Sequence, residues 1–191
     1  ESDGLVGARG CFRLEHPIET VELPASVQSL LAARIDRLDE ASKRLLQTAA
    51  VIGDEAAETL LERVAEMDRD TLRSGVRRLV QSEFLYEASL YPESEYAFKH
   101  PLTREVAYAS LLRERRRALH AAVATALEAL AGAAVDQRAP LLAHHWEQAG
   151  RALDAARWQA RTAARLGLNV GEAVFHWRKV TELLAEERDA P

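Results

Sequence analysis

The chain has 191 residues and a formal net charge of −5 at pH 7, with 48% hydrophobic and 29% charged residues. This composition excludes long disorder as the main state, and the length allows one domain or two small ones. The negative charge argues against a protein that coats nucleic acid. The single cysteine, Cys11, excludes an internal disulfide and a cysteine-based zinc cluster. The single cysteine fits a reducing, cytoplasmic compartment, and because no run reaches the roughly 20 apolar residues of a membrane span, we expect no membrane segment.

Residues 1–23 carry three glycines, at positions 4, 7 and 10, and Pro17. This pattern predicts a short extended piece and turns rather than a helix. The chain begins at Glu1 without an initiator methionine. We therefore expect a segment of a longer protein, in which residues 1–23 are the remnant of a preceding domain.

Residues 24–100 are predicted to contain four helices and then two strands. The second helix should stop at Gly53, and the fourth should be capped by Asp68 or Asp70. Two aromatic segments, 84–87 and 96–99, predict a hairpin around Pro92. Three helices followed by a hairpin is the order of a winged helix, preceded here by a helical linker. The apolar positions that set the helical spacing are Val27, Leu30, Leu31, Ile35, Leu38, Leu45, Leu46, Ala49, Ala50, Ile52, Leu60, Leu61, Val64, Ala65, Leu72, Val76, Leu79 and Val80.

Residues 101–191 are predicted to be entirely helical, with breaks at Gly132 and Gly150 and a helix start at Pro140. Their helix pairs resemble antiparallel tetratricopeptide-like repeats, whose core would hold three tryptophans, Trp146, Trp158 and Trp177. The predicted fold class is therefore mainly α: a winged-helix unit followed by helical-hairpin repeats.

The junction of the two parts contains the first candidate site residue, His100. By the two-residue period of a strand, Tyr96, Phe98 and His100 share one face. Pro101 suits the first position of the next helix, so His100 lies at a strand-to-helix corner. A histidine at such a corner is either a ligand sensor or a structural residue whose ring nitrogens bond to nearby backbone.

The arginines of the fourth helix form a second candidate site. Arg73, Arg77 and Arg78 stand where a DNA-reading helix would contact phosphates. The predicted wing carries Glu87, Glu93 and Glu95 instead of basic residues, which favours the alternative of a solvated helix face.

Further candidates carry weaker signals. A dense charge run consists of Arg113, Arg115, Arg116 and Arg117, interrupted by Glu114. It is either a phosphate site or a solvated charged face. The adjacent His144 and His145 would lie roughly 100° apart on a helix, which does not suit a metal site. No G-x-x-x-x-G-K-S/T loop, G-x-S-x-G elbow or H-E-x-x-H helix occurs. We therefore expect no enzyme activity, metal or cofactor in this segment by itself.

Two segments, read in this order, carry a resemblance to a known family: Leu45–Gly53 (LLQTAAVIG) and Phe98–Tyr108 (FKHPLTREVAY), with Leu119 and His120 downstream. Together they resemble the region after the ATPase core in bacterial STAND signalling ATPases. The nearest similarity is to members fused to a class III adenylate or guanylate cyclase domain, while related regulators carry a DNA-binding output domain.

The resemblance implies a nucleotide-sensing role for His100 and Arg104. In that family, a histidine at the end of the winged-helix unit contacts the β-phosphate of ADP bound in the preceding ATPase domain. Here Lys99 and Pro101 replace the methionine and the aspartate that flank this histidine in the family motif. The implied partners are the preceding ATPase domain and a protein or small-molecule signal on the repeats, with ATP or ADP in the parent protein. The alternatives are a DNA-binding winged-helix regulator and a tetratricopeptide-like interaction scaffold.

Overall fold

The computed structural model describes residues 5–8, 11–14, 25–166 and 169–188, and these are mainly helical. Two strands, β1 (Leu5–Ala8) and β2 (Cys11–Leu14), pair antiparallel near the N terminus. They agree with the extended piece predicted there. The other residues of the predicted domain remnant at 1–23 lie outside the described residues.

Helix α1 (Ala25–Asp36) is followed by α2 (Glu40–Ile52), which lies at the centre of the fold and packs against the next four α-helices of the chain. The Asp39 carboxylate caps α2 by accepting hydrogen bonds from the backbone N–H of Ser42 at 3.1 Å and from its hydroxyl at 2.7 Å. The helix ends at Gly53, as predicted, and this glycine has a φ of 154°. Its N–H bonds to the carbonyl of Ala49.

Helices α3 (Glu58–Ala65) and α4 (Arg69–Gln81) complete the first half of the core. Asp68, one of the two predicted caps, accepts a 2.9 Å hydrogen bond from the N–H of Thr71. The buried face of α4 carries Leu72, Val76 and Leu79, which all belong to the predicted stripe. The structure therefore confirms the predicted cap of α4 and these three predicted apolar positions.

Three strands form an antiparallel sheet in the order β3-β5-β4. The predicted hairpin consists of β4 (Leu85–Ser89) and β5 (Glu95–Phe98). The third strand, β3 (Glu55–Ala57), was not predicted and pairs with the other edge of β5. Its three residues, Glu-Ala-Ala, are helix formers with no apolar alternation, so only the pairing with β5 makes them a strand.

The second half consists of α5 (Pro101–Ala109), α6 (Arg113–Ala131), a 3₁₀ helix (Gly132–Arg138), α7 (Ala139–Gln148), α8 (Ala152–Arg165) and α9 (Val170–Arg188). Helix α6 packs against α2, α3 and α7, and α7, α8 and α9 then pack in succession. One continuous group of buried apolar residues connects both halves.

Several of the predicted apolar positions are exposed, among them Val80 of α4. Val27 and Leu30 of α1, and Trp177 of α9, each expose more than a third of their surface. The main neighbour of α1 is α5, and that of α9 is α8. Each of these helices is therefore covered on one side only, and the placement of Trp177 in the core was wrong.

The stretch Arg113–Gln148 contains an 18-residue window with a mean hydropathy of 1.6, enough by length and composition for a membrane span. In the structure, Leu119, Val123 and Leu127 of α6 are buried in the protein core. Core helices of soluble proteins reach the same hydropathy, so this window does not distinguish between a core helix and a membrane helix.

Candidate functional site

His100 lies at the strand-to-helix corner between β5 and α5 and is exposed. It is the N-cap residue of α5, with φ −137° and ψ 130°, and Pro101 follows in the first turn as predicted. Its backbone carbonyl accepts a 2.9 Å hydrogen bond from the N–H of Thr103, while its imidazole makes no capping hydrogen bond. The ring is therefore open to a ligand from outside the described residues.

Charged groups surround this corner. Lys99 forms a 2.6 Å ion pair with Glu83, and Arg34 stacks over the Phe84 ring at 4.9 Å from its centre. The hydrogen bond and the charge of Lys99 lower the pKa of the Glu83 carboxyl, to which Arg34 and His100 contribute less. Glu83 therefore offsets the charge of Lys99, and Arg34 adds a further positive charge to the corner.

Arg104, the second predicted nucleotide-sensing residue, lies one turn along α5 and faces α2. Its Nε donates to the carbonyl of Ala50 at 3.4 Å, and its terminal nitrogen contacts Asp54 at 2.9 Å. Arg104 thus caps the carbonyl end of α2 and fixes α5 against it. The structure therefore places the two residues on one helix but gives Arg104 a partner within this chain.

Arg104 also borders a cavity of about 370 Å³ between the end of α2 and helices α5, α6 and α7. Its apolar wall includes Val51, Ile52 and Leu141. The polar wall is formed by Arg104, Tyr108, His120, His144, His145 and Gln148.

A chain of three side chains crosses the wall of this cavity. The Tyr108 hydroxyl lies 3.0 Å from Nε2 of His120, and Nδ1 of His120 lies 2.9 Å from Nδ1 of His145. We call these residues the histidine relay. His145 is 1% exposed, and its Nε2 is buried without a hydrogen-bond partner among the described residues.

Both histidines of the relay are held neutral. Burial lowers the pKa of His120 to about 4, with smaller electrostatic effects of His144 and Arg116. Burial likewise lowers the pKa of His145 to about 3, with smaller effects of His120 and His144. Because two neutral rings meet through Nδ1 atoms, one ring must donate and the other accept, which also sets the direction of the Tyr108 hydroxyl. The relay therefore has two hydrogen-bonding arrangements.

The arginines of α4 are largely paired with carboxylates. Arg73 contacts Glu58 at 3.3 Å, and Arg78 contacts Asp39 at 3.5 Å. Arg77 is exposed and has no ion pair in the described part of the chain. Most of this predicted phosphate-contacting face is thus neutralised by acids on neighbouring elements.

The relay residues His120 and His145 were not predicted as a site, although the sequence contained a signal. His145 lies at helical spacing from Leu142 and Ala149, and His120 lies at helical spacing from Val123 and Leu127, so each histidine falls on the apolar stripe of its helix. His144, which precedes His145 in the sequence, is exposed. Within the described ranges, no group of three or more histidine, cysteine or acidic residues could hold a metal ion.

The chain is similar to a segment of a much longer protein. A protein of Rhizobium meliloti (strain 1021), described as uncharacterized, is 28% identical over 127 residues. These residues make up 66% of this chain but 12% of that protein, so the match spans about an eighth of the relative's length. No family model and no solved structure matches the chain.

Proposed function

We propose that the chain is a non-catalytic regulatory and interaction segment of a multidomain, nucleotide-switched signalling ATPase of the STAND type. In this proposal, α2–α4 with the three-stranded sheet form a winged-helix unit, and α7–α9 belong to tetratricopeptide-like repeats. The element order α2-β3-α3-α4-β4-β5 supports the first assignment, since a winged helix interleaves its strands with three helices in this way. The successive packing of α7, α8 and α9 supports the second.

The observation that carries the proposal is the exposed imidazole of His100 at the N terminus of α5. An exposed imidazole can donate a hydrogen bond to a phosphate oxygen of ADP in a neighbouring domain. The resting state would then be the one in which the ATPase domain, ADP and this corner are in contact. Loss of that contact would release the ATPase domain.

Helix α5 offers a physical connection between the nucleotide and the repeats. His100 precedes its first turn, Arg104 fixes its middle to α2, and Tyr108 near its end bonds to His120 of α6. A shift of α5 would therefore strain the histidine relay and the packing of α6 on α7. A signal that binds the repeats could act on the same contacts in the opposite direction.

The relative of Rhizobium meliloti is compatible with this view, since the matched segment is a small part of a long polypeptide. In the proposal, the parent protein is cytoplasmic, carries ATP or ADP in its ATPase domain and has a cyclase-linked or transcriptional output. This segment would itself bind no membrane.

The proposal is tested by association of the chain with the ATPase domain of its parent protein, measured with ADP, with ATP and without nucleotide. We expect association that depends on ADP. The main competitor is a DNA-binding winged-helix regulator, for which a salt-dependent gel shift with duplex DNA would be evidence. The ion pairs of Arg73 and Arg78 with carboxylates argue against DNA binding, because they offset charges that phosphate contacts would need. A DNA shift that Arg77→Ala abolishes, together with no ADP-dependent association, would refute the proposal.

A further inference from the structure

We propose that a pocket at the start of α6 binds a phosphate group, independently of the nucleotide that His100 would contact. The pocket has a volume of about 420 Å³ and lies between α6 and the end of α7. It is lined by Tyr108, Arg113, Arg116, Arg117, Glu147 and Gln148, and we call it the arginine pocket.

The charges of the arginine pocket are unbalanced. Within the described residues, none of its three arginines lies within ion-pair distance of a carboxylate, whereas Arg104, Arg151 and Arg161, for example, each have such a partner. The one acid in the lining, Glu147, already pairs with Lys179 of α9 at 3.2 Å. Three guanidinium groups around one space repel each other unless an anion joins them.

One of the three guanidinium groups is held in place, and a second lies close to a backbone turn. Nε of Arg116 donates to the carbonyl of Leu111 at 2.9 Å, and its guanidinium carbon lies 5.1 Å from the centre of the Tyr108 ring. Arg117 lies against the turn between α7 and α8, where a Cβ added to Gly150 would come within 3.3 Å of its guanidinium. The Arg116 side chain, which is fixed in this way, loses less conformational entropy when it binds a ligand.

The geometry favours a phosphate over a carboxylate. Guanidinium groups donate paired N–H bonds to oxyanions, and a phosphate dianion carries enough charge and oxygens to engage several of them. Helix α6 starts at Arg113, and the preceding Leu112 provides no side-chain cap, so the positive helix end adds to the potential of the pocket. The ligand can be inorganic phosphate or the terminal phosphate of a small molecule such as a nucleoside monophosphate.

The pocket shares Tyr108 and Gln148 with the cavity that contains the histidine relay. A phosphate bound beside Arg116 would change the charge near the Tyr108 ring, whose hydroxyl contacts His120. Binding at the arginine pocket would therefore be visible as a change at the relay.

The test is a titration of the isotopically labelled chain with sodium phosphate, with sodium chloride at the same ionic strength as reference. Arginine Nε–Hε resonances and backbone amides at positions 112–117 and 148–150 are followed by NMR. We expect saturable shifts with phosphate and not with chloride. The double variant Arg113→Gln/Arg117→Gln should lose at least tenfold in affinity. The matched control is Arg115→Gln, since Arg115 is exposed on the same turn but outside the lining.

Two further ligands identify the source of the phosphate. Adenosine monophosphate that binds more tightly than inorganic phosphate would indicate a nucleotide, and equal affinities would indicate the free anion. Adenosine alone should not bind. The proposal is overturned if chloride reproduces the phosphate shifts or if Arg115→Gln weakens binding as much as the double variant does. Both results would leave the role proposed for His100 untouched, because that corner is not part of the pocket.

Discussion

The Nδ1 atoms of His120 and His145 lie 2.9 Å apart inside the protein, where α6 packs against α7. Their rings are tilted by 43°, and both residues are at most 2% exposed. A third ring, that of the exposed His144, approaches both of them. Because a proton added to either buried ring would meet a hydrophobic interior and positive neighbours, this contact makes the fold sensitive to acid.

We predict that the free energy of unfolding falls as the pH decreases from about 6.5. The pKa values of His120 and His145 are lowered from 6.5 to about 4 and about 3 in the folded chain. Between these values the unfolded state binds more protons than the folded state, so acid favours unfolding. Each histidine contributes a slope of up to about 1.4 kcal/mol per pH unit. Urea denaturation between pH 5 and 7 measures this slope. This window lies above the pH range in which most carboxylates titrate, so the histidines dominate the change.

The double variant His120→Leu/His145→Leu provides the control for this prediction. It replaces the polar contact by apolar side chains, and it should flatten the dependence on pH between 5 and 6.5 while the helical content stays the same. His144→Leu, the exposed neighbour, should leave a slope close to that of the wild-type chain. Equal slopes for the wild-type chain and the double variant would show that the relay does not cause the acid sensitivity.

Glu128 of α6 should contribute strongly to the stability of the second half of the fold, which comprises α5 to α9. Its Oε1 accepts hydrogen bonds from the indole nitrogens of Trp146 at 2.8 Å and of Trp158 at 2.9 Å. Both tryptophans are buried, so Glu128→Ala would leave two donors without an acceptor. We expect a loss of about 2 to 4 kcal/mol in urea denaturation. Glu128→Gln retains a carbonyl acceptor and should lose less than half as much.

Glu114→Ala serves as the matched surface control, because Glu114 lies on the same helix and is exposed. We expect a change within about 0.5 kcal/mol. If Glu128→Ala changes stability no more than Glu114→Ala does, the two indole contacts do not hold α7 and α8 to α6.

Gly75 of α4 should be required by its packing against α2. A Cβ added there would lie 3.1 Å from Cδ2 of the fully buried Leu45. The larger side chain of Gly75→Leu would force α4 away from α2, at a cost of about 1 to 3 kcal/mol measured by thermal or urea unfolding. Gly171→Leu is the comparison, because a Cβ added there would have no atom of another element within 4 Å. A Gly75→Leu chain as stable as the Gly171→Leu chain would contradict this close packing.

Local signals in the sequence predicted much of the fold. Gly53 ends α2, Asp68 caps α4 and Pro101 begins α5, because each of these residues acts through its own backbone geometry or a partner three residues away. The strand β3 was missed because its residues have no strand preference and gain it only by pairing with β5, about 40 positions later.

The candidate sites were harder to predict, since they depend on contacts between distant elements. The sequence placed His100 at the corner correctly, but it could not show that Arg104 bonds to the end of α2. His145 was grouped with its neighbour His144, although one is buried and the other exposed. The pairing of His145 with His120 depends on how α6 packs against α7, a relation between helices that no single periodic pattern contains.

The rate of ADP release from the natural polypeptide that carries this segment tests the central claim most directly. We expect His100→Ala to speed the release of bound ADP by at least tenfold, with the fold retained as judged by circular dichroism, since it removes a donor to the phosphate. The exposed histidine of α7 offers a matched control, and His144→Ala should release ADP at the wild-type rate. ADP release from His100→Ala at the wild-type rate would contradict the proposed role of this corner.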